Sequence, residues 1–171
     1  MTCDYFLRVL RLVIFSAFLV ACERSPEELA GAMIMTDDNE EFRFLAAEAI
    51  DLGEKSIPIF LAVLNRHVEN TGNLTEWSKT NISVEYLRDL ARQGIYSTEE
   101  VPTLLYVIEG QQIHIRDTLM TAETLQIITG LDVGYHEEFA KRYTGDDEPE
   151  RLRKIAAWRD WYNKQAGIDA D

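Results

Sequence analysis

The sequence of 171 residues predicts an all-α domain of about three antiparallel helical hairpins. Apolar residues recur at the spacing of one helix face, and glycines or capping residues separate these runs. The pair Ile57-Pro58 also recurs as Val101-Pro102, at an offset of 44 residues. Because a repeat of this length is typical of stacked helical hairpins, the predicted arrangement is a short α-solenoid.

The first hairpin is predicted over residues 40–64. Its first helix ends at Gly53, since glycine takes a left-handed conformation without a Cβ clash. Ser56 is predicted to cap the second helix, and Pro58 lies where a helical amide has no partner. The connection is short, so the two helices are expected to pack antiparallel. Their apolar stripes are Phe42, Leu45, Ala46, Ala49 and Ile50, then Ile57, Phe60, Leu61, Leu64 and Val68.

Capping residues and glycines predict the other helices. The run Ser25-Pro26-Glu27-Glu28 has the pattern of a capping box with proline in the first turn, so a helix is expected to begin there. Ser97 begins a second such box, and Gly94 is expected to end the helix before it, with Ile95 folding back. The remaining helices are predicted over residues 77–93, 101–109, 113–129 and from 149 onward, with a loop at 131–148.

The N-terminal 21 residues have the layout of a secretory signal. Two arginines precede an apolar run that is too short to span a membrane, which disfavours a plain helix or an uncleaved anchor. The run ends in Leu19-Val20-Ala21-Cys22, which resembles the lipobox of bacterial lipoproteins. That resemblance implies cleavage before Cys22, attachment of diacylglycerol to its thiol and acylation, for example with palmitate, of its amine.

The lipobox resemblance also implies a location at the periplasmic face of a membrane. Glu23 is not the aspartate associated with retention in the inner membrane, so the outer membrane is slightly favoured. Cys3 leaves with the signal and lipid occupies Cys22, so no disulfide is expected. The predicted divisions are residues 1–21 (signal peptide), 22–37 (lipidated cysteine and short helix), 38–166 (repeat domain) and 167–171 (tail).

Two stretches resemble HEAT-like repeat proteins. The first is Ala46-Ala47-Glu48-Ala49-Ile50-Asp51-Leu52-Gly53, followed by Ile57-Pro58. The second joins Thr129-Gly130-Leu131-Asp132-Val133-Gly134-Tyr135 to Trp158-Arg159-Asp160-Trp161, similar to the closing repeat of bacterial envelope HEAT-like proteins. The resemblance implies a right-handed stack of HEAT-like hairpins that acts as a non-catalytic scaffold for an envelope protein. HEAT-like repeats also occur in bilin lyases, so a lyase or cofactor chaperone is the alternative.

Composition and motifs give little indication of catalysis. The net charge of -13 argues against a nucleic-acid partner. The three histidines, His67, His114 and His136, lack the spacing of a zinc site and are expected to be exposed or in loops. The acidic run at 37–41 is interpreted as a capped helix start rather than a cation site. We therefore expect no metal, no cofactor and no enzymatic activity.

Two sets of residues are candidates for binding. The second helix of each hairpin is expected to form the concave face of the stack and to contact the partner. A C-terminal cluster is either a ligand pocket with aromatic walls or a cap that closes the last repeat. The partner-face candidates are Arg66, Glu69, Tyr106 and Glu109, and the pocket or cap candidates are Asp132, Tyr135, Trp158 and Trp161.

Overall fold

The computed structural model describes residues 24–67, 74–110, 115–136 and 148–168, and these residues form helices and connections without any strand. The predicted all-α class is confirmed. The predicted apolar residue Val68, the start of the third pair at Ile113 and most of the 131–148 loop lie outside the described residues. The described helices are α1 (Pro26–Met35), α2 (Asn39–Ile50), α3 (Ile57–His67), α4 (Leu74–Arg92), α5 (Glu100–Glu109), α6 (Ile115–Thr129) and α7 (Glu148–Ala166).

The first two helices begin at the predicted capping residues. Ser25 Oγ accepts a hydrogen bond from the amide of Glu28 at 3.2 Å, and Glu28 Oε2 accepts from the amide of Ser25 at 2.9 Å. Asp38 Oδ1 accepts from the amides of Glu40 and Glu41 at 2.7 and 3.0 Å. The amides of Glu41 and then Glu40 lower the pKa of Asp38. These bonds satisfy amides that have no partner within their own helices.

The end of α4 also has the predicted form. Gly94 adopts a left-handed conformation with φ of 79°. Its amide donates to the carbonyl of Ala91 at 2.9 Å, and the amide of Ile95 donates to the carbonyl of Leu90 at 3.0 Å. This pair of bonds is the Schellman arrangement, and Ile95 folds back to pack against the core.

The connection between α2 and α3 differs from the prediction. Gly53–Ser56 forms a 3₁₀ turn that runs directly into α3. The hydroxyl of Ser56 donates to the carbonyl of Gly53 at 2.6 Å, so it serves this turn and not the predicted N-cap. Four residues of 3₁₀ helix advance the chain by roughly 8 Å, and this length separates the two helices.

The packing partners of α2 and α3 differ accordingly. Among the described helices, α3 packs most closely on α4 and α1, while α2 packs on α1 and α4. The helices α2 and α3 both contact the 3₁₀ turn but are not a closely packed pair. The predicted antiparallel packing of α2 on α3 is therefore replaced by packing against the helices that come before and after them.

Alternate helices lie side by side. Close contacts join α1 to α3, α3 to α5 and α5 to α7, and a second set joins α2 to α4 and α4 to α6. The two sets meet most closely where α3 packs on α4 and α5 packs on α6. One apolar core runs between them from Leu29 to Trp158. Within the described ranges, no helix is both long enough and apolar enough to cross a membrane.

The predicted apolar stripes face this core. In α2, Ile50 is half-buried and the other four stripe residues are buried, whereas Phe44 of the same helix is exposed. In α3, Leu61 is half-buried. The fully buried stripe residues of α2 and α3 are Phe42, Leu45, Ala46, Ala49, Ile57, Phe60 and Leu64.

Candidate functional site

The predicted partner face is partly accessible. Arg66 at the end of α3 is exposed, and the Tyr106 side chain on α5 is 48% exposed. Glu109 is half-buried and forms an ion pair with Arg159 of α7. Glu69 lies outside the described residues. Two of the four candidates therefore belong to an open surface, while Glu109 joins α5 to α7.

A second arginine strengthens the junction between α5 and α7. Arg151 is buried, and its guanidinium donates to the carbonyls of Ile108 at 2.6 Å and Glu109 at 3.2 Å. The last turn of α5 contains no basic residue of its own. Since a helix C-terminus presents unpaired carbonyls and partial negative charge, Arg151 supplies the missing donor and the favourable charge.

The loop before α7 is held by local and long-range hydrogen bonds. Asp132 is exposed, and its Oδ1 accepts from the amide of Gly134 at 2.8 Å. Gly134 has φ of 69°, a conformation that disfavours any residue with a Cβ. Lys154 Nζ on α7 donates to the carbonyl of Val133 at 2.9 Å. Asp132 therefore shapes the loop with its carboxylate.

The aromatic part of the C-terminal cluster packs into the core. Trp158 is only 1% exposed, and its Nε1 donates to the carbonyl of Leu131 at 3.1 Å. The ring centroids of Tyr135 and Trp158 are 6.2 Å apart, with an interplanar angle of 38°. Trp161 is half-buried against the same core. Because the indole is covered and its polar atom is satisfied, the arrangement is the one that the cap alternative requires.

We expect Trp158→Ala to lower the free energy of unfolding by about 3–5 kcal/mol, because it removes a large buried side chain. Asp132→Ala removes one exposed loop hydrogen bond and should cost about 1 kcal/mol. Chemical denaturation of both variants and the wild type measures the two losses. Unchanged stability of the Trp158 variant would contradict the cap and return the cluster to its interpretation as a pocket.

An open groove lies between α1 and α3. It has a volume of about 170 Å³, and Glu27 is its one charged lining residue. No local sequence pattern predicts this groove, since it forms only where two helices separated by α2 come together. Its lining residues are Pro26, Glu27, Ala30, Pro58, Ile59 and Ala62.

A buried charged cluster joins α1, α3 and α4. His67 is 4% exposed, and its Nδ1 contacts the carboxylate of Glu76. Lys79 Nζ lies 3.7 Å from the same carboxylate and donates to the carbonyl of Ile34, in the last turn of α1, at 3.2 Å. Burial lowers the pKa of Lys79, while Asp37 raises it. The cluster thus contains one buried cation and one carboxylate.

The prediction that His67 is exposed or in a loop is wrong. Burial, together with the positive charges of Lys79 and Arg66, lowers its pKa from 6.5 to about 4. Near neutral pH the imidazole is therefore uncharged. One signal in the sequence was available, because His67 continues the α3 stripe three residues after Leu64. His136 is exposed, and His114 lies outside the described residues.

Glu100 at the start of α5 is a second buried titratable group. Its Oε1 accepts from the amide of Ser97 at 2.6 Å, as half of the predicted capping box. The Ser97 hydroxyl accepts from the amide of Glu99 instead of completing the box. Burial raises the pKa of Glu100 to about 7, against the opposite effect of the Ser97 amide. A protonated carboxyl is therefore favoured in the folded state up to neutral pH.

We expect Glu100→Gln to become stabilising as the pH rises. The folded pKa of Glu100 is raised, so its contribution is fully present below the unfolded value of about 4.5 and is lost as the pH passes about 7. At pH 8 the free energy of unfolding of the variant should exceed that of the wild type by on the order of 2–3 kcal/mol, and at pH 5 the two values should be similar. Urea denaturation at both pH values measures this difference.

The neighbouring Glu99→Gln is the matched control, because Glu99 is exposed. It should change stability by less than roughly 0.5 kcal/mol at either pH. A Glu100→Gln effect that is the same at pH 5 and pH 8 would show that the carboxyl does not titrate differently in the folded and unfolded states.

Neither the described side chains nor the comparisons with known proteins point to a reaction. Over residues 24–67, 74–110, 115–136 and 148–168, no group of three or more His, Cys, Asp or Glu side chains is arranged to hold a metal ion. No protein-family model matches the sequence, and comparisons with curated proteins and with solved structures return no significant match. Function must therefore be inferred from the residues of this chain.

Proposed function

We propose that this protein is a lipid-anchored, non-catalytic scaffold that holds a protein partner at the periplasmic face of a bacterial membrane, with the outer membrane favoured. The observation that carries the proposal is the position of Cys22. It ends a signal-like segment that resembles a lipobox, and it precedes the N-cap of α1 by only three residues. The anchor would therefore be attached almost directly to the folded domain.

Contacts at the start of α1 support this short attachment. Arg24 forms an ion pair with Glu48 of α2 at 2.8 Å, and Ser25 is held by the capping box. Two residues of chain span at most about 7 Å, so an anchor at Cys22 would be attached within that distance of Arg24. Such a connection would hold the domain close to the bilayer surface.

The fold within this proposal is a HEAT-like α-solenoid. Because α2 and α3 are not a closely packed pair, its hairpins would be α1–α2, α3–α4 and α5–α6, with α7 covering the last one. The helices that carry Arg66 and Tyr106 would then be the first of their hairpins and not, as the sequence predicted, the second.

The contacts between alternate helices support the stack. The pairs Asn81–Asp117 and Arg92–Glu123 also support it. Residue numbers rise in both α4 and α6 from the first pair to the second, as expected if the two helices are parallel neighbours.

The proposed partner surface is the exposed side of α3 and α5. Tyr106 is the most exposed aromatic residue there, and tyrosine is enriched in protein interfaces. The outer side of α4 and α6 is different, because its arginines are engaged: Arg116 bonds Glu85 at 3.1 Å and Arg92 bonds Glu123 at 2.6 Å. Cations that are already paired are less available to a partner.

We expect Cys22→Ser to abolish incorporation of palmitate, since serine lacks the thiol that accepts diacylglycerol. Metabolic labelling of cells that express the full chain measures this loss. Cys3→Ser is the matched control and should retain the label, because Cys3 lies in the segment that is removed. Equal labelling of wild type and Cys22→Ser would contradict the anchor.

We also expect Tyr106→Ala to reduce capture of a specific envelope protein. The tagged full chain is purified from detergent-solubilised envelope, and its partners are compared by mass spectrometry. Tyr96→Ala is the control, because Tyr96 is also exposed but belongs to the α4–α5 connection and not to α3 or α5. Identical partners for both variants would contradict this surface. Recovery of a bound tetrapyrrole would favour the lyase or chaperone alternative.

A further inference from the structure

We propose that the groove between α1 and α3 is a membrane-contact surface that rests on the interface of a zwitterionic lipid bilayer. This inference depends on the proposed lipid at Cys22 and adds to it an orientation of the domain. Three properties carry it: the short chain between the anchor and the groove, the composition of the groove, and the fixed entry of the chain into α1.

The chain places the groove next to the anchor. Pro26 lines the groove and follows Cys22 by four residues, so the two Cα atoms are at most about 14 Å apart. A bilayer and its interfaces are roughly 40 Å thick, so this separation is small on the scale of the membrane. A domain attached this closely must turn some part of its surface around Pro26 toward the lipid.

The groove has the composition of an interfacial contact. Five of its six lining residues are uncharged, and Pro58 and Ala62 of α3 lie across from Pro26 and Ala30 of α1. Removing this apolar surface from water is favourable, and a lipid interface provides apolar contact. The groove is too small and too open to compete with the bilayer interior for the acyl chains on Cys22, so those chains remain in the membrane.

The negative charge of the protein favours zwitterionic over anionic lipid. Glu27 lines the groove, and the chain carries a net charge of -13. Anionic headgroups would repel this surface, whereas zwitterionic headgroups carry no net charge. The ion pair between Arg24 and Glu48 ties the chain just before α1 to α2.

The experiment measures contact between the groove and lipid. Ala62→Cys is introduced into the full chain, which is expressed, processed and purified with its lipid. In the processed protein Cys3 has been removed and the Cys22 sulfur is alkylated, so bimane labels the introduced thiol alone. The labelled protein is reconstituted in phosphatidylcholine vesicles that contain doxyl-labelled phosphatidylcholine, a quencher of bimane.

We expect bimane at position 62 to lose most of its fluorescence in these vesicles. Gln126→Cys is the matched control, because Gln126 is exposed on α6, in the other set of helices, and it should keep its fluorescence. Pro58→Cys is a second groove position, used if Ala62→Cys does not fold, as judged by circular dichroism. Replacing part of the phosphatidylcholine with phosphatidylglycerol should reduce the quenching at position 62.

Other results would overturn the inference in distinguishable ways. Quenching at position 62 that is weak and no greater than at position 126 in palmitate-labelled protein would show that the groove does not face lipid, while leaving the anchor intact. Weak quenching at 62 together with protection of that thiol by envelope extract would assign the groove to a protein partner. Purified protein without palmitate would contradict the anchor, and the groove inference with it.

Discussion

Two buried cations at helix C-termini determine how distant parts of this chain come together. Lys79 donates to the carbonyl of Ile34 at the end of α1, and Arg151 donates to the carbonyl of Ile108 at the end of α5. Neither receiving helix has a basic residue in its own last turn. A helix end buried without partners is costly, so α4 and α7 must occupy the positions that bring these donors into reach. In the same positions the apolar faces of α4 and α7 belong to the core.

Burial of charge also links the fold to pH, in two opposite directions. His67 has a folded pKa of about 4, below its ordinary value of 6.5, so its contribution is present above about 6.5 and is lost as the pH falls through 4. Glu100 has a raised pKa, and its contribution is lost as the pH rises through about 7. Titration of His67 therefore lowers stability in acid, and titration of Glu100 lowers stability at alkaline pH. His67 is at the end of α3 and Glu100 is at the start of α5.

The two sides of the helix array differ in chemistry. Ion pairs between α4 and α6 occupy charged groups on one side, including Arg92 with Glu123. The opposite side, formed by α1, α3 and α5, contains the apolar groove at Pro26 and the exposed Tyr106. This asymmetry is what an anchored scaffold needs, because one part of its surface must meet lipid and another a partner. Pro26, which lines the groove, follows Cys22 by four residues.

By itself the sequence determined the helical class, the apolar faces of α2 and α3, and most helix ends. The capping bonds of Ser25 and the glycine turn at Gly94 involve residues within five positions of one another, so local pattern contains the information. Only the tertiary structure decided that α3 packs on α4 and not on α2, that His67 is buried, and which carbonyls Arg151 reaches. These outcomes depend on contacts between residues that are up to 43 positions apart in the sequence, and no local spacing specifies such a contact.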